Sequence, residues 1–150
     1  MTLKATLRTD LTAAMKARDE VRSSTLRMVL TAITNAEVAG KQAKELSDDE
    51  IITVLASESK KRREAATAFA GGGREEMAAK ERAEAAVIAE YLPAPLTAEE
   101  ISVLVAQAIA QTGAEGPQSM GKVMGVVSPQ VKGRADGGAV AAEVRRQLTA

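Results

Sequence analysis

The sequence predicts an all-α protein, and three observations carry that expectation. Apolar residues recur at helical spacing in one segment after another, two capping boxes mark helix starts, and no useful stretch alternates apolar and polar residues as a strand does. The 150 residues suffice for one ordinary domain or for two small helical ones with modest cores. Of these residues 45% are apolar, but many are alanine, and there is one Phe, one Tyr and no Trp. Any core is therefore Leu, Ile, Val, Met and Ala packed between close helices.

The first helix is expected from Leu3 to about Ala17, because Leu3, Leu7, Leu11 and Met15 are four apart while Lys4, Arg8, Asp10 and Lys16 fall on other faces. After the charged stretch Lys16–Glu20, a second stripe of Leu26, Val29, Leu30, Ile33 and Ala36 predicts a helix to about Ala39, with Gly40 as its stop. SDDE at Ser47–Glu50 reads as a capping box: the Ser47 hydroxyl accepts from the third helical amide and Glu50 reaches back. The helix it opens carries Ile51, Ile52, Val54 and Leu55, then the charged KKRRE run, and ends at Gly71–Gly73, since each glycine costs a helix interior roughly 1 kcal/mol. A fourth helix is expected from about Arg74 to Tyr91 and Leu92, where Pro93 and Pro95 stop it.

That proline pair is the best domain boundary, dividing the chain into residues 1–92 and 93–150. Beyond it, TAEE at Thr97–Glu100 is a second capping box, opening a helix with Ile101, Leu104, Val105, Ala108 and Ile109 on one face and Gly113 and Gly116 at its close. A short helix follows from about Ser119 to Val127, limited or kinked by Pro129, and a last one starts near Asp136 with Val140, Val144 and Leu148 four apart.

Composition excludes much chemistry. With neither Cys nor His, the chain has no disulfide, no thiolate nucleophile, no imidazole base and no ordinary zinc site. No catalytic residue, metal site or cofactor site is assigned. MTLKATLRTD at the N-terminus lacks the 7 to 15 apolar residues of a secretory signal, and no apolar run reaches about 18 residues, so a cytoplasmic protein without membrane association is expected. Lys plus Arg equals Asp plus Glu at 20 each, which leaves no bulk basic charge. The end of the chain is nevertheless locally basic: from Pro117 onward, Lys122, Lys132, Arg134, Arg145 and Arg146 face only Asp136 and Glu143.

Two charged or glycine-rich runs invite functional readings that their spacing does not support. Four successive cations in KKRRE, Lys60–Glu64, spread around a helix at 100° per residue, so they read as a solvated face braced by Glu58–Arg62 and Lys60–Glu64 pairs. GGGR at Gly71–Arg74 follows no strand and lacks the Lys-Ser/Thr of a nucleotide loop, so it reads as a turn between antiparallel helices. MGKVMG at Met120–Gly125 and KGRADG at Lys132–Gly137 differ in kind. Gly121 and Gly125 weaken a short helix by roughly 1 kcal/mol each, which close approach of another helix or of a ligand would offset. Gly133 allows a left-handed turn, and Asp136 is placed to cap the last helix. Capping does not explain Lys132 and Arg134, which are left projecting beside that turn.

MGKVMG followed by KGRADG resembles the C-terminal tail of the B subunit of glutamine-dependent aminoacyl-tRNA amidotransferases, in the GatB/YqeY family. AMKARDEVRSSTLRM at Ala14–Met28, KKRRE at Lys60 and YLP at Tyr91–Pro93 are similar to the free-standing YqeY proteins, so the likeness spans nearly the whole chain; GGG at Gly71 departs from the more polar turn common in the family. The resemblance implies a helical N-terminal domain followed by a small three-helix tail domain. It also implies an amidotransferase-related accessory protein that binds tRNA through its C-terminal domain and does not catalyse a reaction alone. Lys122, Lys132 and Arg134 would then face phosphates, with Arg145 and Arg146 adding charge, while Gly121, Gly125 and Gly133 permit close backbone approach. With only Phe69 and Tyr91 as aromatics, such recognition would read RNA shape and backbone rather than stack bases. The alternatives are carbon-nitrogen ligase activity with glutamine as amido-N-donor inside a larger assembly, and an adaptor for a protein partner in aminoacyl-tRNA metabolism.

Overall fold

A computed structural model describes residues 1–150, and the chain is all-helical as expected, with no strand. It divides into two units, Met1–Leu92 and Pro93–Ala150.

The first unit holds α1 (Leu3–Lys16), α2 (Glu20–Glu37), α3 (Asp48–Gly71) and α4 (Glu75–Ala89). Leu7 of α1, Leu26, Val29 and Ile33 of α2, Ile51 and Leu55 of α3 and Val87 and Ile88 of α4 form its core. The predicted capping box opens α3 with both reciprocal bonds: Glu50 N donates to Ser47 Oγ and Ser47 N to Glu50 Oε1, each at 3.2 Å. α3 and α4 form a long hairpin whose distal half packs on alanine, with Ala66 and Ala78 buried, so the helices meet through small side chains.

Three details depart from expectation. α2 stops at Glu37, before Gly40, and the Glu37 carboxylate is bound by Lys4 Nζ at 2.8 Å and by the Leu46 amide at 3.1 Å, which pins the connection to α3. α4 ends at Ala89, and Tyr91 and Leu92 close a tighter turn through Tyr91 N to Ile88 O and Leu92 N to Ala89 O, as befits a residue that precedes proline. The KKRRE run is not wholly a solvated face. Lys60, Lys61, Arg63 and Glu64 are exposed, but Arg62 is 5% exposed, its Nη1 bonded to the carbonyl and carboxylate of Glu58. Every fourth position of α3 points inward there, and the long aliphatic stem of arginine fills the space.

The second unit holds α5 (Ala98–Thr112), a 3-10 turn over Pro117–Ser119, α6 (Met120–Val131) and α7 (Gly137–Thr149). The second capping box forms as read, with Glu100 N to Thr97 Oγ1 and Thr97 N to Glu100 Oε1 both at 3.1 Å, and Gly113 closes α5 in the left-handed conformation, φ +66°. Val105 and Ala108, Val123, Val127 and Val131, and Val140, Val144 and Leu148 contribute one inward stripe from each helix. α6 continues past Pro129 to Val131, beyond the expected end near Val127. Proline there forfeits only the bond to the Gly125 carbonyl in the last turn, and burial of Val131 holds that turn in place.

Candidate nucleic-acid interface

α6 buries Val123, Val127 and Val131 and turns its other side to solvent. On that side Gly121, Gly125 and Ser128 follow one another at helical spacing, all exposed. A Cβ built on Gly121 or Gly125 meets no atom within 4 Å. Close packing by a neighbouring helix of this unit, one of the two readings of these glycines, is thereby ruled out, and within the unit the backbone of α6 lies bare along this strip. Lys122 flanks it and Lys132 stands at its C-terminal end, roughly 15 Å away at the helical rise. Both are exposed, and no ion pair engages either.

The turn after α6 is tightly made. Lys132 leaves the helix in extended conformation, Gly133 takes φ +75°, and the Val131 carbonyl accepts from both Arg134 N at 2.8 Å and Ala135 N at 3.1 Å. Asp136 then caps α7, its Oδ1 accepting from Gly138 N at 3.3 Å. The expectation of a left-handed Gly133 and a capping Asp136 therefore matches the observed turn.

Among chains of known family, the match is to Yqey-like proteins over residues 4–148. The chain belongs to that family. No curated protein matches it closely enough to count as a relative.

The five cations of the YqeY-like tail are not equivalent. Arg134 is half-buried, and its Nε donates to the Ala94 carbonyl at 3.0 Å while its own carbonyl accepts from Leu96 N at 2.8 Å. Arg146 grips Glu143 with Nε at 3.0 and 3.1 Å and Nη2 at 2.5 Å. That pair belongs to a network in which Gln147 Nε2 donates to Glu143 Oε1 and to the Ser102 carbonyl, both at 2.9 Å, tying α7 to α5. The Arg146 guanidinium, and after it the Gln147 amide, hold the Glu143 carboxyl down at about 2. Lys122, Lys132 and Arg145 thus remain as the exposed, unpaired cations.

The Arg134 clasp leaves no local signal in the sequence, because nothing in spacing tells that residues 94–96 return to the α6–α7 turn. The Glu143–Arg146 pair did have a local signal that went unread, a spacing of three on a helix. No group of acidic side chains is arranged to hold a metal ion, and no helix is long and apolar enough to cross a membrane.

Proposed function

We propose that this YqeY-like protein is a cytoplasmic accessory factor, related to the amidotransferases, whose C-terminal unit binds tRNA and which catalyses nothing by itself. The observation that carries the reading is the bare strip of α6: two helix-weakening glycines that the fold does not require, bordered by lysines that nothing neutralises. A ribose-phosphate backbone laid along it would reach main-chain atoms closely, with Lys122 and Lys132 on its phosphates and Arg145 on a flanking one. Arg134 and Arg146, already engaged within the unit, shape the surface more than they contact RNA. Phe69 and Tyr91 both lie in the first unit and are part-buried, so base stacking plays no part in binding by the tail.

The test is a fluorescence-anisotropy titration of labelled bulk tRNA at low and moderate salt, beside the Lys122→Ala, Lys132→Ala, Arg145→Ala triple variant. Binding that weakens with salt, and a variant with a slope shallower by about 2 to 3 logarithmic units per tenfold change in salt, support the reading. Identical curves for the two proteins would place the RNA elsewhere or nowhere.

A further inference from the structure

The first unit carries a second feature that the tail does not use. Where α1 meets the start of α2 and the end of α4 there is an open cleft of about 500 Å³, a volume usual for small-molecule sites. It exists because the inward stripe of α1 loses its bulk. Leu3, Leu7 and Leu11 pack against the core, but the stripe continues only as Ala14, with Ala13 and Ala17 exposed beside it, and these methyl groups cannot fill the space a leucine would. The floor is therefore apolar and shallow-sided.

The walls are polar and mostly anionic. Tyr91 stands on one side with its hydroxyl donating to Asp10 Oδ2 at 2.5 Å. Burial, followed by the adjacent Asp10 carboxylate, raises the Tyr91 hydroxyl well above its ordinary range, so it stays a donor to Asp10 Oδ2, while Asp10 Oδ1 makes no hydrogen bond. On the other side Arg22 Nη2 bonds Glu90 Oε2 at 2.6 Å, and Asp19 uses Oδ1 to cap α2 through Arg22 N at 3.1 Å. Three carboxylates, Asp10, Asp19 and Glu90, thus line the cleft with one guanidinium, which gives Nη2 to Glu90 and stands with Nε 3.6 Å from Asp19 Oδ2. The excess of carboxylates over cations in the lining disfavours an anion, and the acidic groups are not arranged to hold a metal ion.

We propose that this cleft binds an organic cation of the alkylguanidinium or alkylammonium type, its carbon chain lying on Ala13 and Ala17 and its charged head between Asp10 and Glu90. The chemistry is shared by a free diamine and by the side chain of an arginine or lysine on a partner protein. The site is independent of RNA binding by the tail and stands whether or not that reading holds.

The experiment is a methyl and amide NMR titration of the full chain with agmatine, with glutarate as an anion of similar length. The proposal predicts saturable shifts at Ala13, Ala17 and Tyr91 with agmatine and none there with glutarate. Ala17→Leu, at an exposed position that tolerates the larger side chain, should abolish them, and Asp10→Asn and Glu90→Gln should each weaken binding about tenfold, the loss of one charge-assisted contact. A parallel titration with Nα-acetylarginine amide separates the sources: tighter binding than agmatine assigns the cleft to a partner's side chain, weaker binding to a free diamine. Absence of saturable shifts at these residues with either cation, or Ala17→Leu binding like the parent chain, overturns the proposal.

Discussion

Arg134 and Ala94 are forty residues apart in sequence and joined by a hydrogen bond of 3.0 Å, from the guanidinium Nε to the carbonyl. With the return bond from Leu96 N to Arg134 O, this fastens the segment that follows Pro93 to the turn between α6 and α7. Arg134→Ala is expected to lower stability by about 1 kcal/mol, the net worth of a part-exposed hydrogen bond to a charged donor. Lys132→Ala, which removes no internal bond, should stay within about 0.5 kcal/mol of the parent. Urea unfolding of the two variants side by side measures the difference, and equal destabilisation would contradict the clasp.

Arg18 is the only non-glycine residue with positive φ, at 57°. It closes α1 as a Schellman turn would, with Asp19 N bonded to Ala14 O at 3.0 Å and Arg18 N to Met15 O at 3.1 Å, in the place glycine usually takes. Arg18→Gly should raise stability by about 0.5 kcal/mol once the added chain entropy is set against the relieved contact, and Arg18→Val should lower it by about 1 kcal/mol or more. Thermal unfolding of the two variants reads the sign directly.

Arg62 is buried with its Nε lacking any partner, while its Nη1 holds the Glu58 carbonyl at 3.0 Å. An ion pair so placed offsets its own desolvation poorly. Arg62→Met, similar in length and apolar, should leave stability unchanged or raise it by about 1 kcal/mol, whereas Arg62→Ala should cost about 2 to 3 kcal/mol through the cavity it opens. A methionine variant as unstable as the alanine one would show that the charge, not the volume, is needed there.

Glu50 and Glu143 both have carboxyl groups lowered from 4.5 to about 2, Glu50 chiefly by Lys44 and then by the Ser47 cap, Glu143 chiefly by Arg146 and then Gln147. Because the folded values lie below the unfolded one, their contribution is present above pH 4.5 and is lost as pH falls from there through about 2. The Glu50→Gln, Glu143→Gln double variant should therefore show a shallower decline in urea midpoint across that window than the parent chain. Parallel declines would mean that other groups govern acid unfolding.

Most of the fold was legible because its signals are local. Ser47 with Glu50 and Thr97 with Glu100 announced two helix starts, and Val140, Val144 and Leu148 announced a buried face, each within a few residues of sequence. What was not legible depends on residues brought from afar: Arg62 reads as one more surface cation until the fold buries it beside Met28 of α2, and Asp10 gives no hint that it will receive the Tyr91 hydroxyl from 81 residues away. α6 shows the same divide. Its valines were predictable from spacing, but that nothing packs against Gly121 and Gly125 is visible only from the open space beside them.

That space allows the most direct test of the central claim, that the bare strip of α6 is a binding surface for RNA. Gly121→Leu and Gly125→Leu together meet no atom of the protein at Cβ and improve helix propensity, so the double variant should be more stable by about 1 kcal/mol. Anisotropy titration with labelled tRNA should nevertheless show binding weakened by tenfold or more, because the added side chains hold the ribose-phosphate backbone away from the helix. A variant that is stabilised and binds tRNA as the parent chain does would contradict the claim.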